Sequence, residues 1–200
     1  MHDNDAPHKH RLLRSVIAAG VALVGLGAVA SSALFTDSGT VSSNAFTNGT
    51  VVLGLTPATT ALTAANMAPG DTQYGTIQVS NNGTLPMRYA ATSVATNADG
   101  KGLASQAQMT IKASAATCDA AGFASGTTVY GPGALGTTPS SMALIGDPAV
   151  GAQSGDRALA AGTSETLCVK VNLPVGTGNA YQAATTTATF TFAAEQTTNN

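Results

Sequence analysis

Hydrophobic positions in this chain recur at every second residue, not every third or fourth. In the stretch 163–174, Leu167, Val169, Val171 and Leu173 alternate with Thr166, Cys168, Lys170 and Asn172. The same parity runs through Ala188, Phe190 and Phe192, through Ile77 and Val79, through Met109 and Ile111, and through Val51, Leu53 and Leu55. A period of two puts alternate side chains on opposite faces of a strand, so each stretch predicts a strand with one buried face. Thr and Val suit that pleated surface because their branched β-carbons lose rotamer freedom in helices.

Breakers lie between these runs. Met67-Ala68-Pro69-Gly70-Asp71 marks a turn before the Ile77 strand, and Asn81-Asn82-Gly83-Thr84 reads as a hairpin turn that needs positive φ. Residues 97–102 and the tract 122–155 read as loops, the latter with short strands around Val129 and Leu144, and 103–107 reads as a short helix. Seven to nine short strands around one core predict an all-β, antiparallel β-sandwich of jelly-roll type. No fixed-period repeat is present.

One segment breaks the pattern. Residues 12–30 are a continuous Ala, Gly, Val and Leu run, preceded by Lys9, Arg11 and Arg14. A basic start, an apolar stretch and then small residues describe a secretory signal peptide, here a leader helix in domain 1–34. Cleavage is expected after Ala30, Ala33 or Leu34, the last leaving Phe35 as the new first residue. The rival reading is a retained membrane anchor, since about 20 apolar residues span a bilayer. On either reading the single sandwich domain 35–200 lies outside the cytoplasm, secreted or at the cell surface, and touches membrane only through an uncleaved leader.

Composition narrows the function. His2, His8 and His10 all lie in the leader, so the processed chain carries no imidazole, the usual general base and zinc ligand. Charged residues make up 9% of the chain, against about 25% in ordinary globular proteins. Beyond the leader eight carboxylates face five cations, which leaves no basic footprint for nucleic acid. Such a surface has few of the lysines that discourage strand edges from joining neighbours. Two cysteines, Cys118 and Cys168, in an exported chain predict one disulfide.

Catalytic motifs fail on context. Gly131-Pro132-Gly133-Ala134-Leu135-Gly136 fits GxGxxG, but no helix can follow through Thr137-Thr138-Pro139. Asp37-Ser38-Gly39-Thr40 resembles an aspartic-protease motif without the second copy that a shared-proton dyad requires. Glu165 and Glu195 are the pair a glycosidase reading would use, and the plainer expectation makes them exposed strand-end carboxylates. Asn48-Gly49-Thr50 and Asn82-Gly83-Thr84 satisfy the N-glycan sequon and double as tight turns. The residues therefore predict no catalytic site, no metal site and no cofactor.

Several stretches in order resemble the TasA/camelysin family of bacterial surface proteins. These are Ala33-Leu34-Phe35-Thr36-Asp37, then Phe46-Thr47-Asn48-Gly49-Thr50-Val51-Val52-Leu53, Pro69-Gly70-Asp71 and Val79-Ser80-Asn81-Asn82-Gly83 with Tyr89. The likeness continues through 159–171, Gly178-Asn179-Ala180-Tyr181-Gln182 and 188–196. The resemblance implies a leader removed by a SipW-type signal peptidase and a jelly-roll domain. It also implies homopolymeric fibres of the biofilm matrix, formed alone or with an accessory matrix protein. The segment 35–46, with Phe35, Val41 and Phe46 as anchors, is then the strand donated to the next subunit. The alternatives are a camelysin-like secreted peptidase, for which the processed chain lacks histidine, and a monomeric adhesin binding through the 122–155 loops.

Overall fold

The computed structural model describes residues 47–59, 61–62 and 66–198. Among them are nine strands: β1 (Leu53–Thr56), β2 (Thr72–Asn81), β3 (Met87–Thr96), β4 (Gln108–Ala113), β5 (Thr127–Ala134), β6 (Met142–Ile145), β7 (Arg157–Leu159), β8 (Ser164–Asn172) and β9 (Thr187–Gln196). Helix is confined to single 3-10 turns, one of which, Leu103–Ser105, is the short helix expected near 103–107. The leader, its cleavage residues Ala30, Ala33, Leu34 and Phe35, and the segment 35–46 lie outside the described residues.

The strands form two antiparallel sheets, as the alternation requires. The first has the order β1-β2-β8-β4-β5. In the second, β3 is central, with β9 along its full length on one side and β6 and β7 end to end on the other. Successive strands often change sheet, as β2 to β3, β3 to β4 and β8 to β9 do. Ile77, Val79, Met109, Ile111, Leu167 and Val169 point inward from the first sheet to meet Met87, Tyr89, Ala91, Leu144, Ile145 and Leu159. The six from the first sheet are positions that the period of two assigned to the buried face.

The Asn-Gly turn corrects the sequence reading. β2 and β3 belong to different sheets, so residues 82–86 cross the sandwich and do not close a hairpin. Asn81 is 1% exposed. Its amide donates to the carbonyls of Leu85 (2.9 Å) and Leu159 (3.1 Å), while its side-chain oxygen accepts from the Gly83 amide (3.0 Å). Its main chain pairs with Thr163 and Gly162 in the β7–β8 crossover. Segment 50–52 then runs alongside, with Thr84 and Leu85 amides donating to the Thr50 carbonyl and the Thr50 amide donating to Thr84 Oγ1. Gly83 is needed there for close approach, since a Cβ would collide with the Thr50 carbonyl. The expected positive φ has no part in it.

Loops cover both outer faces. The β4–β5 connection, 114–126, folds back over the first sheet and is bonded to β8 through Cys118–Cys168, with Cα atoms 5.3 Å apart. Cys168 sits on the polar parity of β8, yet this flap leaves it 1% exposed. A closed loop of 50 residues restricts the unfolded chain by about 4 kcal/mol on the entropic account. The β6–β7 connection covers the second sheet, where the Gly151 amide donates to the Glu195 carboxylate. Gly131-Pro132, read as loop, instead forms a bulge inside β5, where Gly131 has φ 80° and its neighbours shift register against β4.

Two outcomes test this account of the crossover. Asn81→Ala strands three polar partners, two of them buried, and is expected to cost about 3 kcal/mol in chemical denaturation. Gly83→Ala is expected to cost about 1–3 kcal/mol by forcing the 50–52 segment away, whereas Gly176→Ala, which meets nothing within 4 Å, serves as the neutral control.

Candidate functional site

Charge is so sparse in this chain that each buried ionic contact stands out. Tyr89, on β3, points into the core from the second sheet and is 1% exposed. Its hydroxyl donates to Glu165 Oε1 (2.7 Å), which β8 supplies from the opposite sheet. Arg157, from the short β7, completes the group with Nε and Nη2 donating to Glu165 at 2.6–3.1 Å. The three residues therefore link both sheets through one carboxylate. Burial raises the Tyr89 phenol well above its usual range, and the hydrogen bond to ionised Glu165 raises it further. Its own hydrogen bonds to Glu165 hold the Arg157 guanidinium more firmly protonated.

A second pair, Arg88 with Glu195, joins β3 to β9 on the outer face of the second sheet. Glu165 and Glu195, expected as exposed strand-end carboxylates, are thus mostly buried, with side chains 16% and 23% exposed. Alternation explains why this was missed: strand position shows which face a glutamate is on, and the arginine that meets it comes from a remote strand. No glycosidase pair results, because each carboxylate is held by its own arginine.

The other acids cap turns. Asp99 accepts from the Lys101 and Thr185 amides, Asp119 from the Ala121 and Gly122 amides, and Asp156 from the Asp147 and Gln153 amides. Those amide bonds hold the Asp99 and Asp119 carboxyls below their usual range. Both cysteine sulfurs are bonded to each other. Among the described residues, no three His, Cys, Asp or Glu side chains come together to hold a metal ion.

The remaining feature is an edge. Among the described strands β9 pairs only with β3, and β1, at the edge of the first sheet, pairs only with β2. Ala188, Phe190 and Phe192 of β9 and Leu53 and Leu55 of β1 pack on the core while remaining half-buried. Phe192 leans on Tyr89, with ring centroids 6.0 Å apart. The opposite margin differs. Leu135, Leu144 and Ile145 are buried there, β5 carries the Pro132 bulge, and residues 136–138 hydrogen-bond to Ala95. Proline and a bulge both spoil a strand edge for further pairing.

The inter-sheet group and the Asp99 turn each give a measurable consequence. Glu165→Gln removes the carboxylate that faces half-buried Arg157 and accepts from Tyr89 and is expected to cost about 2–3 kcal/mol, whereas Tyr89→Phe, which leaves the ion pair intact, costs about 1 kcal/mol; equal losses in urea melts would contradict the assignment. Because the folded pKa of Asp99 lies below its ordinary 3.8, its contribution is complete above that pH and disappears as pH falls through the folded value. Amide exchange at Lys101 and Thr185 is expected to quicken in that acid range, and Asp99→Asn is expected to remove the pH dependence.

Comparison with known proteins gives one family. Residues 8–112 match the family model described as camelysin metallo-endopeptidase. No curated protein matches the chain. The family description implies a catalytic metal, and the described residues do not fit one: the thiols are oxidised to a disulfide, Glu165 is held by Arg157, and the aspartates are folded onto turn amides. The match runs through the β1–β4 half of the sandwich and covers more than half of the 200 residues, so the chain belongs to the camelysin metallo-endopeptidase family.

Proposed function

We propose that this chain is an exported structural subunit that polymerises by strand addition into extracellular fibres of a biofilm matrix. On this reading a SipW-type signal peptidase cuts at the end of the leader 1–34 and frees the segment 35–46. That segment, anchored by Phe35, Val41 and Phe46, then adds to the open edge of the next copy. While the leader is attached the segment is tethered and cannot insert, so cleavage is the assembly switch.

The observation that carries the reading is the β9 edge. From Thr187 to Ala194 the strand has a paired side against β3 and, among the described residues, no strand on the other. An added strand would supply partners for a row of N–H and C=O groups and cover the half-buried Phe190 and Phe192. Loops over both outer faces and the bulged β5 margin leave this seam as the favoured place for a sheet to grow. One acceptor seam and one donor segment per copy give a head-to-tail chain of subunits.

The family description favours a second reading, a secreted peptidase. The donor chemistry in the described residues speaks against it. Electron microscopy and size-exclusion chromatography of the processed chain separate the two, together with a peptide-hydrolysis assay. Filaments that vanish when residues 35–46 are deleted are the expected outcome. A processed chain that stays monomeric at high concentration would sink the fibre reading, and peptide turnover abolished by a chelator would establish the peptidase in its place.

A further inference from the structure

The outer face of the first sheet gathers charge that no carboxylate among the described residues pairs with. Arg88 and Arg157 are ion-paired, and Lys101 donates from an exposed loop to the Gln182 carbonyl. The two remaining cations of the described residues, Lys112 on β4 and Lys170 on β8, converge on one aromatic ring. Each ammonium lies 5.1 Å from the centroid of Phe123, in the disulfide-held flap. Lys112 also donates to the Ala124 carbonyl (3.2 Å), and neither lysine meets a carboxylate among the described residues. The flap's own acid, Asp119, is turned onto Thr117, Ala121 and Gly122.

A buried hydroxyl neighbours both lysines in the sheet. Thr110 sits directly opposite Lys170 in the β4–β8 register and two residues before Lys112 on the same face. It is 5% exposed, and its Oγ1 has no hydrogen-bond partner. On the other side of Lys170, in the β2–β8 register, is Tyr74, whose ring meets Phe123 edge-on at 5.5 Å. An unsatisfied buried hydroxyl costs free energy, and an anion drawn by the two neighbouring ammonium groups supplies its missing partner.

We infer that Lys112, Lys170 and Thr110 form a binding site for a phosphate-class oxyanion on the outer face of the first sheet. Ammonium groups from two neighbouring strands and a hydroxyl offer several donors, a number that suits the four oxygens of a tetrahedral anion. The site is remote from the β9 edge and independent of whether the chain polymerises.

The test is a titration of the intact, oxidised chain with inorganic phosphate at constant ionic strength, followed by NMR shifts of the Thr110 methyl and of the Lys112 and Lys170 amides. Saturable shifts at these three residues are expected. Lys170→Gln is expected to weaken phosphate about tenfold and Thr110→Val about threefold, while Lys101→Gln leaves the affinity unchanged. Because Lys112→Gln also loosens the flap, Lys112→Arg is the paired variant, and it should retain binding. Shifts that never saturate, a Lys170→Gln affinity equal to that of Lys101→Gln, or acetate binding as tightly as phosphate would each overturn the assignment.

Discussion

The side chain of Asn81 holds the two sheets in their relative order. Its amide and carbonyl reach the start of β3, the end of β7 and the turn between sheets, while its main chain pairs with the β7–β8 crossover. A buried amide with its donors and its oxygen engaged is strongly specifying, because any other packing leaves polar atoms unpaired without water. Where an uncovered Asn-Gly would have turned the chain back within one sheet, this one sends it across.

The Tyr89, Glu165 and Arg157 group repeats the principle inside the core. With 4% aromatic residues and no tryptophan, the sandwich is filled by Ala, Val, Met and Leu, which pack well and specify little. A buried ionic contact adds less net stability than its geometry suggests, since desolvation offsets much of the attraction. Its effect is directional: Glu165 from one sheet and Arg157 from the other fix which strands face each other.

These constraints leave the sandwich uneven. Flaps cover its two faces, a bulge and proline close one margin, and at β9 and β1, where apolar side chains are half-buried, no further strand pairs among the described residues. An enzyme of the kind named by the family would concentrate ionisable groups in a cleft, whereas here the acids serve turns and inter-sheet contacts. Among the described residues the acids are thus committed to turns and to contacts between strands.

The sequence by itself determined the all-β class, the buried parity of β2, β4, β8 and β9, and the pairing of its two cysteines, because a period of two and an even cysteine count are local signals. The strands at Val129 and Leu144 were legible for the same reason. Only the tertiary structure decided that 82–86 crosses between sheets, that Glu165 and Glu195 are buried against arginines, and that Gly131-Pro132 is a bulge inside a strand. Each of those depends on which distant segment lies alongside: Thr50 against Gly83, Arg157 against Glu165, Met109 against Gly131. Alternation tells a residue its face, and contact across the sandwich gives it its partner.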